Sequence, residues 1–156
     1  MAPGKPTEVV AWANELLETA RVGRMGLVDE EGAPRVLPVT FAVADRRIWS
    51  AIDQKPKRVS EPARLHFLRR DPRAALTVDR YSDDWDELAW VQVLGEIRIV
   101  DVSEGAAGLV ALSAKYEQYR EATPPGPLLA LRPERYLWWR AADREGRGRR
   151  SGDRGE

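Results

Sequence analysis

The sequence predicts a small antiparallel β-barrel flanked by three helices, a mainly β chain of the α+β class. Three observations carry this expectation. Six runs alternate apolar and smaller or polar residues with the strand period of two. Turn residues separate most of those runs at hairpin distances. No strand is followed by a regular crossover helix unit, which argues against a doubly wound parallel sheet.

The elements follow in chain order. Residues 1–6 are small and proline-rich and are expected to form a flexible arm ahead of one domain over 7–142. From Thr7, apolar positions fall at Val9, Trp12, Ala13, Leu16, Leu17 and Ala20, a helical spacing with one buried face. Thr7 can cap that helix, and Gly23 can stop it. The stretch MGLVDEEGAPRVLPVTFAVADRRIWSAID then reads as three strands, with turns at Glu31-Gly32 and Ala44-Asp45-Arg46. In the middle strand Leu37, Val39, Phe41 and Val43 share one face. Val36, Pro38, Thr40 and Ala42 share the other, which is smaller and more polar. Proline has no N–H to give a ladder, so Pro38 implies a sheet edge, a bulge or a face where something else docks.

Ser60 is placed to cap a short helix carrying Leu65, Phe67 and Leu68, ended by Asp71-Pro72. RAALTVDRY is a fourth strand and SDDWDE an acidic loop. LAWVQVLGEIRIVD is a long fifth strand with Val91, Val93, Ile97 and Ile99 in phase, and Gly95 marks a bend or bulge. Ser103 opens a helix reaching about Arg120, ATPPGP breaks it, and LLALRPERYLWWR supplies a last strand interrupted near Pro133. Residues 143–156 contain nothing apolar and are expected to form a disordered arginine- and glycine-rich tail. The element order is α-β-β-β-α-β-β-α-β, without internal repeats.

Composition bounds the chemistry. With 156 residues and 43% hydrophobic content the chain can build one core. Its 25 basic and 25 acidic residues cancel, so no overall field draws it to nucleic acid or an anionic membrane, and neither is expected as a partner. There is no cysteine, hence no disulfide, thiolate nucleophile or cysteine-held metal. The one histidine, His66, precludes a multi-histidine metal centre within one chain. No apolar run approaches the roughly 20 residues that span a bilayer, and a cytoplasmic location is expected.

Only four of the 25 cations are lysine, and two of them, Lys55 and Lys57, sit with Arg58 in one loop after a strand, in AIDQKPKRVSEPARL. A phosphate needs several charge-assisted donors converging on one point, and a helix start following such a loop adds N–H groups and a positive dipole end. The same cluster is equally readable as a solvated basic turn. Trp49, Trp85, Trp90, Trp138 and Trp139 are candidates for a stacking pocket, although aromatics more commonly fill cores and interfaces. Asp83, Asp84, Asp86 and Glu87 lack calcium-loop spacing and read as a solvated turn. His66 reads as structural. No glycine-rich phosphate motif or nucleophile elbow is present. A chain without its own nucleophile can still run redox chemistry through a bound cofactor.

Taken in order, RVLPVTFAV, IWSAIDQKPKR, LAWVQVLGEIRIV and KYEQYREATPPGPLLAL resemble the pyridoxamine 5'-phosphate oxidase-like family of flavin and deazaflavin split barrels, over roughly residues 8 to 140. The branch using coenzyme F420 is the closer resemblance. It implies a six-stranded Greek-key split barrel of the FMN-binding type, a homodimer, and a cofactor in each groove between subunits. Carried over by position, Lys55 and Lys57, with Arg58 beside them, match the residues holding the cofactor phosphate, and Pro56 fixes the loop that presents them. Leu37, Pro38, Val39 and Thr40 match the strand lying against the ring. Ile52 and Asp53 match the strand end leading to the phosphate. Trp90 and Gln92 match positions approaching the ring, and Trp138 to Arg140 resemble the region closing the site. The flavin-dependent oxidases carry arginine where this chain has Gln54, and their C-terminal arginine–histidine pattern is missing, which favours F420 over FMN.

The expectation is an oxidoreductase that moves hydride from reduced F420 to an electron-poor small molecule, with Tyr116 or Tyr119 as protein proton donors if either reaches the pocket. No catalytic residue is assigned and no metal is expected. The competing expectations are an FMN- or heme-binding split barrel without defined catalysis, and a dimeric interaction module.

Overall fold

Strand-forming alternation and tight turns lay down a single antiparallel sheet that curls around the main core. The computed structural model describes residues 2–4, 9–52 and 61–144. Its strands are β1 (Ala2–Gly4), β2 (Gly23–Val28), β3 (Pro34–Val39), β4 (Ala42–Ala44), β5 (Arg47–Ala51), β6 (Arg73–Arg80), β7 (Ala89–Val100) and β8 (Leu128–Arg140). The helices are α1 (Ala11–Thr19), α2 (Ala63–Arg70), α3 (Ala106–Lys115) and α4 (Glu117–Glu121), with short 3-10 turns at Trp85–Glu87 and Ala141–Arg144. Among the described residues, no helix is long and apolar enough to cross a membrane.

The strands run in the order β3-β2-β6-β7-β8-β5-β4, and β1 pairs with β8 off this path. The two ends of the path, β3 and β4, are consecutive in the chain. The sheet therefore comes round on itself through the covalent link Thr40–Phe41, and no ladder joins β3 to β4 among the described residues. Its interior holds Met25, Leu27, Val39, Phe41, Leu76, Val78, Val91, Val93, Leu129 and Leu131, closed at the open ends by Ala13 and Leu17 of α1 and Leu65 and Leu68 of α2. A second cluster lies outside the wall, where α3 sets Leu112 against Trp49, Ala51, Leu128 and Ala130. Strand β5 is covered on both faces for that reason, with Ile48 inward and Trp49 outward.

The long strands β7 and β8 bend at a register shift. Leu94 pairs with Arg135 but Gly95 with Pro133, leaving Glu134 as the extra residue. A Cβ on Gly95 would lie 2.0 Å from the Arg132 carbonyl oxygen, so only glycine permits this approach. The bulge also accommodates Pro133 inside β8, which runs unbroken where an interruption was expected.

The strand count corrects the sequence expectation of six. The middle strand divides into β3 and β4 because the chain turns a corner at Thr40–Phe41, and β1 adds a short partner to β8. The first six residues, expected as a flexible arm, thus include a paired strand at Ala2–Gly4. The described fold also reaches Arg144, past the expected boundary at 142, because the Ala141 amide donates to the Leu88 carbonyl and Arg140 holds Asp143. Helix α1 begins at Ala11 with Val10 as its uncapped entry, shorter than the predicted span from Thr7, which lies outside the described residues. Gly23 opens β2, with the helix already ended at Thr19. Ser60 likewise lies outside them; α2 starts at Ala63 after Pro62. The single helix expected from Ser103 to about Arg120 is two, because Tyr116 is extended (φ −119°, ψ 120°) and turns its ring inward.

Candidate functional site

The corner at Thr40–Phe41 leaves backbone groups that no ladder satisfies, and side chains take them over. The Phe41 amide donates to Tyr116 Oη at 3.1 Å. The Tyr116 hydroxyl oxygen lies 2.8 Å from the Arg21 carbonyl oxygen and 3.0 Å from that of Phe41, so its one hydrogen serves these two acceptors. Ser50 Oγ donates to the Thr40 carbonyl at 2.8 Å. The Thr40 and Tyr119 hydroxyl oxygens are 2.7 Å apart. Tyr116 and Tyr119 stand three residues apart at the start of α4, so both reach the same corner, ring edge against ring face (5.6 Å, 72°). Arg120 anchors the end of α3 by donating to the Ser113 and Ala114 carbonyls.

Beside this corner lies a cavity of about 180 Å³ lined by Val22, Pro38, Val39, Thr40, Ser50, Ala51 and Arg64. Its walls set the apolar Val22, Pro38, Val39 and Ala51 beside two hydroxyls and one guanidinium, a composition suited to a planar ring with a polar edge and an anionic arm. Ala51 ends β5 at this wall, and the chain passes through Ile52 directly into residues 53–60.

Electrostatics around the corner are asymmetric. Lys115 Nζ sits 4.0 Å from the Phe41 ring centroid, enclosed by protein with no hydrogen-bond acceptor among the described residues. Burial, with Arg21 nearby, pulls its pKa from the ordinary 10.5 down to about 8. Arg21 donates to the Lys115 carbonyl and stacks over the Tyr116 ring. Burial raises the Tyr116 phenol, a shift that the Phe41 hydrogen bond and Arg21 oppose.

The predicted site residues divide into three groups. Pro38, Val39 and Thr40 line the cavity, Leu37 points into the main core from the same strand, and Ile52 is buried just past Ala51. Asp53, Lys55, Pro56, Lys57 and Arg58 lie outside the described residues. Trp90, Gln92, Trp138 and Arg140 lie on β7 and β8, away from the cavity of their own chain. Gln92 donates to Thr77 Oγ1 at 3.0 Å and falls in one cross-strand row with Arg24 and Pro38 on the outer face. Trp90 pairs with Trp139 in register on that face. Trp138 packs inward on the core, and the Arg140 guanidinium covers the Trp12 ring at 5.1 Å.

The five tryptophans considered for a stacking pocket therefore do not converge. Trp49 is core, with Nε1 donating to the Ala44 carbonyl, and Trp85 is 70% exposed. His66 is exposed near Glu61, and the acidic loop is a 3-10 turn in which Asp84 accepts from the Asp86 amide. No metal-holding cluster occurs among the described residues.

Sequence reasoning missed Val22, Ser50, Ala51 and Arg64, and the purpose of the two tyrosines. Ser50 carried a signal, as a polar residue between apolar neighbours in the strand run IWSAI. The i, i+3 spacing of Tyr116 and Tyr119 was another. Arg64 carried none, since its approach depends on how α2 packs.

The fold and the cavity can now be set beside known proteins. In structure the chain resembles a conserved hypothetical protein of Mycobacterium tuberculosis (TM-score 0.72, 18% identity, covering 96% of this chain and 93% of that one). It resembles a heme binding protein of Mycobacterium smegmatis (TM-score 0.67, 19% identity, 85% of this chain but 55% of that one). An F420 reductase is also similar in structure (TM-score 0.61, 19% identity, covering 83% of this chain and 98% of that one). At these identities the likeness establishes the fold. No curated protein matches the chain. The pyridoxamine 5'-phosphate oxidase family model matches residues 11–140, which takes in the whole described barrel from α1 to the end of β8. The chain belongs to the pyridoxamine 5'-phosphate oxidase family.

Proposed function

We propose that this protein is an oxidoreductase of the split-barrel family that binds reduced coenzyme F420 and acts on an electron-poor small molecule. The observation that carries the reading is the cavity at the barrel split, walled by Pro38, Val39 and Thr40 and adjoining the strand that runs into Lys55, Lys57 and Arg58. Its donor set fits a deazaflavin: apolar walls for the ring, Thr40 for the polar ring edge, Arg64 and the loop cations for the anionic arm. When bound, the reduced deazaflavin supplies a hydride. The chain's own contribution is positioning. Val22, Val39 and Ala51 make the apolar part of the wall, and the corner bonds of Tyr116 and Ser50 hold it in place. Tyr116 does not line the cavity and its hydroxyl is committed to backbone, which removes it as a proton donor.

We further propose a homodimer. The outer face of β3, β2, β6 and β7 carries Val36 at 71% exposure beside Pro38, Gln92 and the Trp90–Trp139 pair. A second copy on this face would bring its own Gln92, Trp90 and C-terminal residues towards the cavity edge, which their distance from the cavity within one chain favours.

FMN would use the same wall and the same cations and stands as the second reading. Heme is less suited. Among the described residues no histidine or methionine lines the cavity: His66 is exposed on α2 and Met25 is buried in the core. The test is fluorescence titration of the purified protein with F420 and with FMN, then an acceptor screen with the reduced form of the cofactor that binds. Saturable F420 binding tighter than FMN supports the proposal. Binding of neither would return the chain to an interaction module.

A further inference from the structure

The Thr40 hydroxyl at the cavity wall lies 2.7 Å from the hydroxyl of another side chain, Tyr119. Tyr119 does not line the cavity. It comes from α4, 79 residues away in sequence, and α4 is positioned by the turn at Tyr116 and by Arg120 on the end of α3. One of the two hydroxyls must donate to the other, and the Thr40 carbonyl is already engaged by Ser50. A threonine hydroxyl otherwise turns among staggered positions, so this contact selects its direction before a ligand arrives.

We infer that Tyr119 is a positioning residue that acts through Thr40 to orient the hydrogen-bonding group meeting the polar edge of a planar ring ligand. The inference rests on the cavity being the ring site proposed above. It assigns the two tyrosines of the KYEQYR segment different roles. Tyr116 closes the barrel corner through backbone bonds, and Tyr119 prepares the cavity wall.

The physical signature is dependence of one residue on the other. If Tyr119 works only through Thr40, removing its hydroxyl matters while the Thr40 hydroxyl is present and not after it is gone. The experiment is fluorescence titration of the full chain with F420, and with FMN in parallel, for the parent, Tyr119→Phe, Thr40→Val, the double variant and Thr40→Ser. Tyr119→Phe and Thr40→Val should each weaken binding about three- to tenfold. The double variant should be no weaker than Thr40→Val, and Thr40→Ser should bind like the parent. Multiplying losses in the double variant, or parent-like binding by Tyr119→Phe, would overturn the inference while leaving the cofactor reading intact. Failure of the parent to bind either cofactor would remove the ring site, and this inference with it.

Discussion

The Phe41 amide reaches the Tyr116 hydroxyl at 3.1 Å across 75 residues of sequence. That bond stands where, among the described residues, the sheet's two edge strands are joined by the chain itself and by no ladder. The corner is thereby bonded like sheet although it lies outside any ladder, and the cavity beside it is given a fixed wall.

Replacing Tyr116 by Phe should cost about 1–3 kcal/mol, because the Phe41 N–H stays buried with no acceptor. Tyr119→Phe should cost less than Tyr116→Phe, since the Thr40 hydroxyl it meets lies at a cavity rim and no buried backbone amide depends on that bond. Urea denaturation of both variants checks the ranking. Equal costs would mean that the corner does not depend on Tyr116.

Gly108 in α3 faces the Trp49 ring, and a Cβ there would stand 2.2 Å from a ring carbon. Gly108→Ala should therefore destabilise by about 1–3 kcal/mol or more through overpacking. Gly26→Ala is the control. Its Cβ would meet Ala75 at an ordinary 3.8 Å, and the change should be neutral or stabilise by up to about 1 kcal/mol. Thermal melts of the pair measure how closely helix α3 is held against the wall.

Lys115 should give stability a pH dependence. Its pKa in the folded chain, about 8, lies below the ordinary 10.5, so the unfolded chain holds the extra proton between those values. Stability from this group rises with pH across that window, and the penalty of the enclosed charge is fully present below pH 8. Lys115→Met keeps the apolar stem and removes the charge. At pH 7 it should stabilise by on the order of 1 kcal/mol, a figure reduced for solvent screening around a half-buried side chain and for the lost contact with Phe41. The gain should shrink by about pH 10. A gain independent of pH would show that desolvation of the ammonium is not its source.

Lys57→Ala should weaken cofactor binding roughly 10- to 150-fold, the loss of one charge-assisted phosphate bond of about 1.5–3 kcal/mol. Lys55→Ala should act alike and His66→Ala should change little. A cofactor fragment lacking the phosphate should bind parent and lysine variants equally. Equal losses for fragment and intact cofactor would assign the loop to shaping the site instead of holding the phosphate.

Sedimentation at micromolar concentration should give about twice the 17.6 kDa chain mass. Asp at Val36, the most exposed apolar residue of the outer sheet face, should shift that equilibrium towards monomer, because a charge would be carried into the interface. A monomeric parent would sink the proposed groove between subunits.

Much of this fold was legible because its rules are local. Alternation placed the interior faces of β3 and β7, turn chemistry placed the hairpins at Gly32 and Asp45–Arg46, and Pro38 announced the edge strand that β3 proves to be. Gly95 announced the bulge in the same way. What only the tertiary structure decided depends on partners far apart in sequence. The alternation of residues 34–44 continues across Thr40–Phe41 without a sign of the corner, since the groups that replace the ladder come from Ser50 and Tyr116. Helical spacing through residues 103–120 likewise hides the turn at Tyr116, whose extended backbone is repaid by a buried ring and hydroxyl bonds on another element. Arg64 reaches the cavity because α2 packs Leu65 and Leu68 into the core, which directs the neighbouring side chain towards the barrel split. Local spacing determines which residues can face one way; only closure of the sheet determines what they face.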